Sequence, residues 1–330
     1  MLKTLSMLDG VSGNEGAVRE YIKAQIQPFC DTLEEDRVGN LIALKKGTGE
    51  KKVLLCAHMD EVGFIVSHVE EGGFARVKEV GGFDPRILPG QRVRVGEEKK
   101  AGVFGSRAVH HTTKEERQKG ITLQELYLDV GTEEVCRGDY VSFDSEYREF
   151  GTNKAKGKAL DDRVGCAALI RLLRANRRYS FDLYVCFSVQ EEVGLRGAKV
   201  LAGNIQPDFA MAVEATTCSD MSGVPSEFVT ELGKGPAVSI ADGASYSIGR
   251  YRQLMIETAH NNQLPIQLKK SVSGGNDAGA LQLYGRGGAS MVLSLPCRYI
   301  HSPCCVIDLG DFEHYCRLLE LFTAEVEGVL

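Results

Sequence analysis

Acidic and histidine side chains recur in this sequence directly after strand-length runs of apolar residues. Imidazole nitrogens and carboxylate oxygens are common ligands of divalent zinc, cobalt and manganese, so such a set could hold metal ions. The number of donors suffices for two ions, which together can polarise a carbonyl group and lower the pKa of a water molecule. The set comprises His58, Asp60, Asp161, Asp162, Glu191, Glu192, Glu214 and His301.

Each of these residues, taken singly, also has a structural explanation. A histidine after an apolar run can be a satisfied core side chain, adjacent aspartates can cap the N-terminus of a helix, and adjacent glutamates can be solvated at a strand end. All of them, however, stand at comparable positions relative to the apolar runs. That shared placement favours one common site over several unrelated structural roles.

The apolar runs predict an α/β fold, because they are strand-length and almost free of polar residues. This pattern is typical of strands buried on both faces of a sheet, and in open α/β sheets ligands bind at the carboxyl ends of the strands. Helical patterns follow Asp161 and Glu192 and occupy the last twenty residues. The apolar runs lie at residues 52–57, 181–189, 209–215 and 288–296.

The stretch from 67 to 155 has a different texture, with short alternating segments interrupted by glycine and proline. This texture is typical of a small β-barrel or sandwich. We therefore predict a discontinuous catalytic domain formed by residues 1–66 and 156–330, with a β-rich domain inserted at 67–155.

The composition excludes several classes of protein. The chain has 330 residues, 43% of them hydrophobic, and a formal net charge of −6, which argues against nucleic acid or anionic membranes as partners. No apolar run approaches the roughly 20 residues of a membrane span, and we expect no secretory signal. The ten cysteines include no C-x-x-C pair, so we expect reduced thiols and a cytoplasmic location.

Six short blocks, in their order and approximate spacing, resemble the M42 family of metallo-aminopeptidases. The resemblance runs along essentially the whole chain, including the β-rich insert. Members of this family have been labelled glutamyl, deblocking or tetrahedral (TET) aminopeptidases and, less reliably, endoglucanases. The blocks are AHMDEVGF, KALDDRVG, QEEVGLRGA, AVEATT, GGNDAGAL and RYIHSP.

The resemblance implies five metal ligands. His58 and His301 resemble the terminal ligands of two ions, one each, and Asp161 resembles the carboxylate that bridges both. Glu192 is expected to share an ion with His301, and Glu214 to share the other with His58. The implied ions are two divalent cations per subunit, zinc or cobalt, with manganese as an alternative.

Two further acids have catalytic roles by the same resemblance. Glu191 is the expected general base and acid, which takes a proton from the attacking water and gives it to the leaving amine. Asp60 is expected to orient His58 through the other ring nitrogen. The peptide bond between Asp161 and Asp162 is expected to be cis, as in related peptidases with two zinc ions.

The implied fold is a mixed-sheet α/β domain of the phosphorylase/hydrolase-like zinc-peptidase type, with an inserted PDZ-like β-barrel that mediates dimerisation and further oligomerisation. The implied function is a dinuclear metal-dependent aminopeptidase that releases N-terminal amino acids from short peptides. Family members often form tetrahedral dodecamers built from dimers, so we expect a homo-oligomer. We expect neither a nucleic-acid nor a membrane partner.

Three positions depart from the commoner family pattern. Glu214 stands where many members have aspartate, Asn276 stands where threonine is frequent, and Cys304–Cys305 replaces a Val-Glu pair. The longer arm of Glu214 can change how it binds a metal. Asn276 lies near the expected substrate wall, so the preferred N-terminal residue stays open.

Three other functions deserve comparison with the aminopeptidase. An acyl-amino-acid deacylase could use the same scaffold and metal site. A glycoside hydrolase also needs paired acids, but Glu191 and Glu192 are adjacent, and adjacent strand residues point to opposite faces; two histidines also have no part in two-carboxylate glycosidase chemistry. A metal-stabilised scaffold without activity would not need Glu191.

Overall fold

The structure is a computed structural model that describes residues 1–131, 134–224 and 229–330. Residues 132 and 133 of the predicted β-rich insert therefore lie outside the described residues. The strands of the described residues are, in chain order, β1 (Thr32–Glu35), β2 (Leu41–Lys45), β3 (Lys52–His58), β4 (Gly63–Glu70), β5 (Phe74–Val80), β6 (Arg92–Val95), β7 (Lys100–Ser106), β8 (Leu126–Asp129), β9 (Tyr140–Phe143), β10 (Arg148–Phe150), β11 (Lys154–Gly157), β12 (Asp182–Ser188), β13 (Phe209–Thr217), β14 (Ala237–Ser239), β15 (Gln267–Lys269), β16 (Ala289–Cys297) and β17 (Cys305–Asp308).

Helices follow the positions that the sequence predicts after Asp161, after Glu192 and at the end of the chain, where they form α4, α5 and α8. Within the described residues, no helix has both the length and the apolar character needed to cross a membrane. The helices are α1 (Leu2–Met7), α2 (Gly16–Ile26), α3 (Lys114–Gln118), α4 (Leu160–Arg174), α5 (Arg196–Ile205), α6 (Gly249–Asn261), α7 (Ala278–Gln282) and α8 (Leu309–Glu325).

The largest sheet has eight strands in the order β1-β2-β12-β3-β13-β16-β14-β15. Its central strands β12, β3, β13 and β16 are parallel, and they are the four apolar runs of the sequence. Their side chains are almost all buried because helices cover both faces. The register aligns Ser188 with His58 and Ala212 with Cys56, so His58, Ser188 and Glu214, two residues after Ala212, lie towards the same end of the sheet. The polar residues at these ends therefore meet at one edge of the sheet.

Two separate groups of helices build these two faces. Alternate residues of β3, such as Leu55 and Ala57, pack with the core formed by α2, α4, α6 and α8. The intervening residues Leu54 and Cys56 pack with α5 and α7 on the other face. The mixed α/β fold predicted from the sequence is confirmed.

Six antiparallel strands close into a barrel in the order β4-β5-β8-β7-β6-β9. Phe64 lies at the centre of its apolar interior, with ring centroids 4.5 Å from Phe83 and 4.8 Å from Phe104. The chain enters the barrel directly after the loop that follows β3. It leaves through β10 and β11, and β11 pairs with β17. The first barrel strand already begins at Gly63, before the predicted start of the insert at residue 67. The insert limits of 67–155 stay a proposal.

A buried charge network ties the N-terminal segment to the loop after β3. The Glu61 carboxylate accepts hydrogen bonds from the Lys158 ammonium at 2.5 Å and from the Gly10 N–H at 3.0 Å, and Arg163 lies 3.6 Å away. Arg163 also donates to the Leu5 carbonyl oxygen at 2.6 Å. Both cations and Glu61 are almost fully buried. The network therefore fixes the backbone that leads from β3 towards the barrel.

Replacement of Lys158 by methionine leaves the Glu61 charge buried and short of its principal partner. Breaking a buried ion pair from one side costs about 3–5 kcal/mol, so the free energy of unfolding is expected to fall by that amount. Urea denaturation of the metal-loaded proteins measures the change. The exposed Lys3 in α1 supplies the control Lys3→Met, which should match the wild type. Equal stability of Lys158→Met and the wild type would show that this network does not support the fold.

Candidate metal centre and active site

His58 ends strand β3, and Asp60 connects it to the loop that follows β12. The His58 ring is buried, with Nδ1 3.2 Å from the Asp60 carbonyl oxygen and 3.5 Å from the Asp60 carboxylate. That carboxylate accepts the backbone N–H groups of Glu191 at 3.0 Å and Glu192 at 3.1 Å, and the Ser12 hydroxyl at 2.5 Å. Asp60 therefore fixes the glutamate pair relative to His58.

The Asp161 carboxylate faces both histidines. Its Oδ1 lies 3.3 Å from His58 Nε2, and its Oδ2 lies 3.2 Å from His301 Nε2. The peptide bond between Asp161 and Asp162 is cis, as predicted. The Asp162 carboxylate turns away and accepts the backbone N–H groups of His58 at 3.2 Å and Gly165 at 3.0 Å. One aspartate thus lies between the histidines, while the next anchors β3 to α4.

His301 is oriented by a contact from the barrel. Its Nδ1 lies 2.7 Å from the Gly82 carbonyl oxygen, in the segment that follows β5. Its Nε2 lies 3.3 Å from Glu192 Oε2. Gly81 has a φ of +80°, and a Cβ there would lie 2.7 Å from a Val62 methyl group and 3.3 Å from Glu192 Cβ. This segment approaches the site so closely that only glycine fits.

Glu214 lies in strand β13 with its Oε2 3.6 Å from His58 Nε2. Its Oε1 is buried without a hydrogen-bond partner in the part of the chain that the structure describes. A buried, unpaired carboxylate oxygen is costly unless a cation neutralises it. Glu214, which stands where aspartate is commoner, therefore reaches His58 with Oε2, and its Oε1 has no partner among the described residues.

The donor atoms form two triads that fit divalent metal ions. One contains His58, Asp161 and Glu214, and the other contains His301, Asp161 and Glu192. Neighbouring donor atoms lie 3.2–3.6 Å apart, close to the separation of about 3.4 Å expected for ligands about 2.1 Å from a tetrahedral ion. The second triad is compact enough as a whole for one ion. Around His58 the compact groups combine it with Asp162 and Glu214 and with Glu191 and Glu192, so the first triad rests on the separate distances from His58 Nε2 to Asp161 and Glu214. The imidazole and carboxylate donors suit zinc, cobalt or manganese.

The raised pKa values of the clustered acids and of His301 indicate that the cluster requires positive charge. Burial, together with the charge of Asp161, raises the pKa of Glu192 to about 8. Burial and the charge of Asp162 raise the pKa of Glu214 well above its usual range. Burial disfavours the charged form of His301, but contacts with Asp161 and Glu192 outweigh it and raise its pKa to about 10. Divalent ions would supply the charge that these protons otherwise provide.

Glu191 belongs to neither triad, although its carboxylate lies within 4.8 Å of donor atoms of His58 and Glu192. Its carboxylate lines the cavity but has no hydrogen-bond or ion-pair partner among the described residues. Burial and the charges of Asp277 and Glu192 raise its pKa well above that of a free glutamate. A carboxylate that is close to the donor cluster, unpaired and raised in pKa is suited to proton transfer.

The sequence did not reveal several contacts that support the site. These are the Gly82 carbonyl on His301, the Ser12 hydroxyl on Asp60, and the anchoring role of Asp162. Only the Gly81-Gly82 pair gave a signal, since paired glycines often mark a close backbone approach. Asp277 also lies behind the site, where it accepts hydrogen bonds from the Ser188 hydroxyl and the Cys56 thiol, the latter at 3.4 Å.

Two positions that depart from the family pattern have structural partners. The Asn276 side chain donates to Asp242 at 2.8 Å and accepts the Ala278 N–H at 3.0 Å. The Cys305 thiol is buried and lies 3.3 Å from the Ser302 carbonyl oxygen, as expected for a packed thiol. Both side chains therefore have hydrogen-bond partners within the protein.

A sheet with parallel central strands whose ends bring together two histidine–carboxylate triads is typical of a metallohydrolase with two ions. A model of the M42 glutamyl aminopeptidase family matches residues 39–318. A putative aminopeptidase from Acetivibrio thermocellus is 38% identical over 97% of this chain and 96% of its own length. The lysyl aminopeptidase of Pyrococcus furiosus is 31% identical over 99% of this chain and 97% of its own.

The solved TET1 peptidase of Pyrococcus horikoshii, which can assemble into a tetrahedron or a large octahedral shell, has a TM-score of 0.87 to this chain. The two are 32% identical, and the match covers 98% of each chain. The chain belongs to the M42 family of aminopeptidases, hydrolases that act on peptide bonds. The family predicted from the six sequence blocks is confirmed, and the deacylase and glycosidase alternatives are not favoured.

Metal binding is expected to release protons. Both histidines must lose a proton to bind a metal through Nε2, so Zn²⁺ binding at pH 7 should release about two protons or more per chain. The pKa values of His301 and Glu192 are raised, so both groups lose protons as the pH rises. The affinity for the metal ion should therefore increase with pH. Calorimetry in two buffers with different ionisation enthalpies measures the release.

His301→Ala should lower this proton release, whereas His260→Ala, at an exposed position of α6, should not. Metal binding by the wild type without net proton release would contradict ligation by the two histidines.

Gly81→Ala tests the contact from the barrel. The added Cβ should displace Glu192 and the neighbouring carbonyl that orients His301, and reduce affinity for the ion of that triad about 10- to 100-fold. Gly82→Ala is the matched control, since its added Cβ meets no heavy atom within 4 Å. Chelator competition measures both affinities. Unchanged metal binding by Gly81→Ala would show that this segment does not set the geometry of His301.

Proposed function

We propose that this chain is a dinuclear metal-dependent aminopeptidase that releases single N-terminal residues from short peptides. His58, Asp161 and Glu214 would hold one ion, and His301, Asp161 and Glu192 the other. The observation that carries this proposal is the position of Asp161, whose two carboxylate oxygens lie 3.3 and 3.2 Å from the two histidines. Zinc, cobalt and manganese all suit this donor set.

The bound ions would supply Lewis acidity, polarising the scissile carbonyl group and lowering the pKa of a water molecule. Glu191 accepts the proton of the attacking water, because its carboxylate is unpaired and lines the cavity that contains the triads. It then donates that proton to the nitrogen of the leaving amine, a transfer for which a raised pKa is suited. Asp60 positions Glu191 through the backbone N–H at 3.0 Å.

The cavity in front of the triads supports small substrates. It has a volume of about 400 Å³ and is bounded by residues of β13 to β16 and by the loop 273–276. This space suits the amino end of a peptide. The family description names glutamyl substrates while one relative is a lysyl aminopeptidase, so family membership leaves the preferred N-terminal residue undefined.

We extend the proposal to assembly and location. The TET1 relative can assemble into a tetrahedron or a large octahedral shell, and this chain is expected to form a homo-oligomer, a tetrahedral dodecamer built from dimers. The predicted inserted domain would supply the contacts. All ten cysteines are unpaired, which supports a reducing compartment such as the cytoplasm.

Glu191→Gln separates catalysis from metal binding. The amide has nearly the same shape but cannot carry the proton, so kcat on amino-acid p-nitroanilides should fall by about 10³-fold. Metal content, measured by mass spectrometry of the purified protein, should stay at two ions per chain because Glu191 lies outside both triads. Glu50→Gln, at an exposed position, is the control and should keep wild-type turnover. Wild-type turnover by Glu191→Gln would refute the assigned proton carrier.

A further inference from the structure

The backbone that carries Glu191 is held by side chains from a distant part of the sequence. Four consecutive backbone N–H groups, those of residues 189–192, each donate to a side-chain oxygen. Asn40 accepts the first at 3.0 Å, Glu15 accepts the second at 3.2 Å, and Asp60 accepts the last two at 3.0 and 3.1 Å. The position of this loop therefore depends on three acceptor residues that lie within the first 60 residues of the chain.

Gln190, the residue between Val189 and Glu191, has a left-handed backbone conformation. Its φ is +56°, in a region that residues with a Cβ rarely adopt. Such a conformation persists only where the surrounding structure holds it in place. The Glu15 carboxylate on the Gln190 N–H is a contact of this kind. Because Glu191 is the next residue and lines the cavity, any change in the Gln190 backbone redirects its side chain.

Glu15 occupies the N-cap position of α2, but its side chain does not cap that helix. An acidic residue at an N-cap usually accepts an N–H group of the first helical turn. Here Oε1 accepts the Gly13 N–H at 2.7 Å and the Gln190 N–H, which lies 175 residues further along the chain. Glu15 is only 4% exposed. The buried carboxylate therefore contacts the loop of Glu191 in place of its own helix.

We propose that Glu15 is a positioning residue for catalysis, which fixes the direction of Glu191 by holding the backbone N–H of Gln190. The inference rests on the proposed function, in which Glu191 carries a proton from the attacking water to the leaving amine. A displacement of about 1 Å at a catalytic group can cost about 10²-fold in rate. Glu15 belongs to neither triad, so its replacement should affect proton transfer and leave metal binding unchanged.

Two neutral variants separate the length of the Glu15 side chain from its charge. Glu15→Gln keeps an acceptor oxygen at the same distance from the backbone, so its kcat on amino-acid p-nitroanilides should stay close to the wild type. Glu15→Ser is too short to contact Gln190, and its kcat should fall about 10- to 100-fold with KM unchanged. Serine is a preferred N-cap residue, so this change should not weaken α2. If Glu15→Ser fails to fold, Glu15→Asp, which is also too short, replaces it.

A double-mutant cycle identifies the group through which Glu15 acts. In the Glu191→Gln background, Glu15→Ser should cause no further loss of kcat, because the proton carrier that it positions is already absent. A general structural effect would lower kcat by the same factor in both backgrounds. Asp311→Ser is the matched control. Asp311 is also buried and accepts the N–H groups of Gly233 and Gly235 at 2.6 and 2.8 Å, in a different loop, so its replacement should leave kcat unchanged.

The outcomes separate the two proposals. Wild-type kcat in Glu15→Ser, or an equal loss in both backgrounds, overturns the role of Glu15 and leaves the aminopeptidase function intact. An equal loss in Glu15→Gln and Glu15→Ser also overturns it, because the charge and not the contact with Gln190 would then matter. Loss of metal from Glu15→Ser, measured by mass spectrometry, would assign the effect to the metal site and contradict the proposal. No cleavage of any compound by the metal-loaded wild type overturns the proposed function itself.

Discussion

Neutralisation of buried negative charge determines how the edge of the central sheet is built. A buried carboxylate is stable only when donors or cations surround it. Asp60 and Asp162 obtain these donors from backbone N–H groups of the adjoining loops. Glu192 and Glu214 face histidines alone, and one oxygen of Glu214 has no partner among the described residues. Asp60 and Asp162 therefore have a structural role, whereas Glu192 and Glu214 require positive charge from outside the chain.

The same constraint explains why two consecutive acids of one loop behave differently. Asp60 turns towards the site, whereas Glu61 turns away and is neutralised by Lys158 and Arg163. The second arrangement is complete within the chain, so it binds the loop to α1 and α4 without any metal. Asp60 lies on the same loop and contacts His58. The ion-pair network around Glu61 therefore also supports the position of His58.

The central strands and the acids at their ends could be predicted from the sequence because both depend on local pattern. An almost unbroken apolar run followed by a histidine or an acid can be recognised without knowledge of distant residues. The contact between His301 and the Gly82 carbonyl joins positions 219 residues apart, and a carbonyl group leaves no mark in a side-chain pattern.

His301 shows that the barrel contributes to the metal site as well as standing beside it. With Nδ1 donating to the Gly82 carbonyl oxygen, Nε2 is left as the atom that faces Asp161 and Glu192. A barrel displaced from the sheet would remove this acceptor and allow the imidazole to rotate, whereas His58 would keep its own support within the sheet. The His301 triad therefore depends on the barrel, whereas the His58 triad does not. A subunit contact that moved the barrel would act on the His301 triad first.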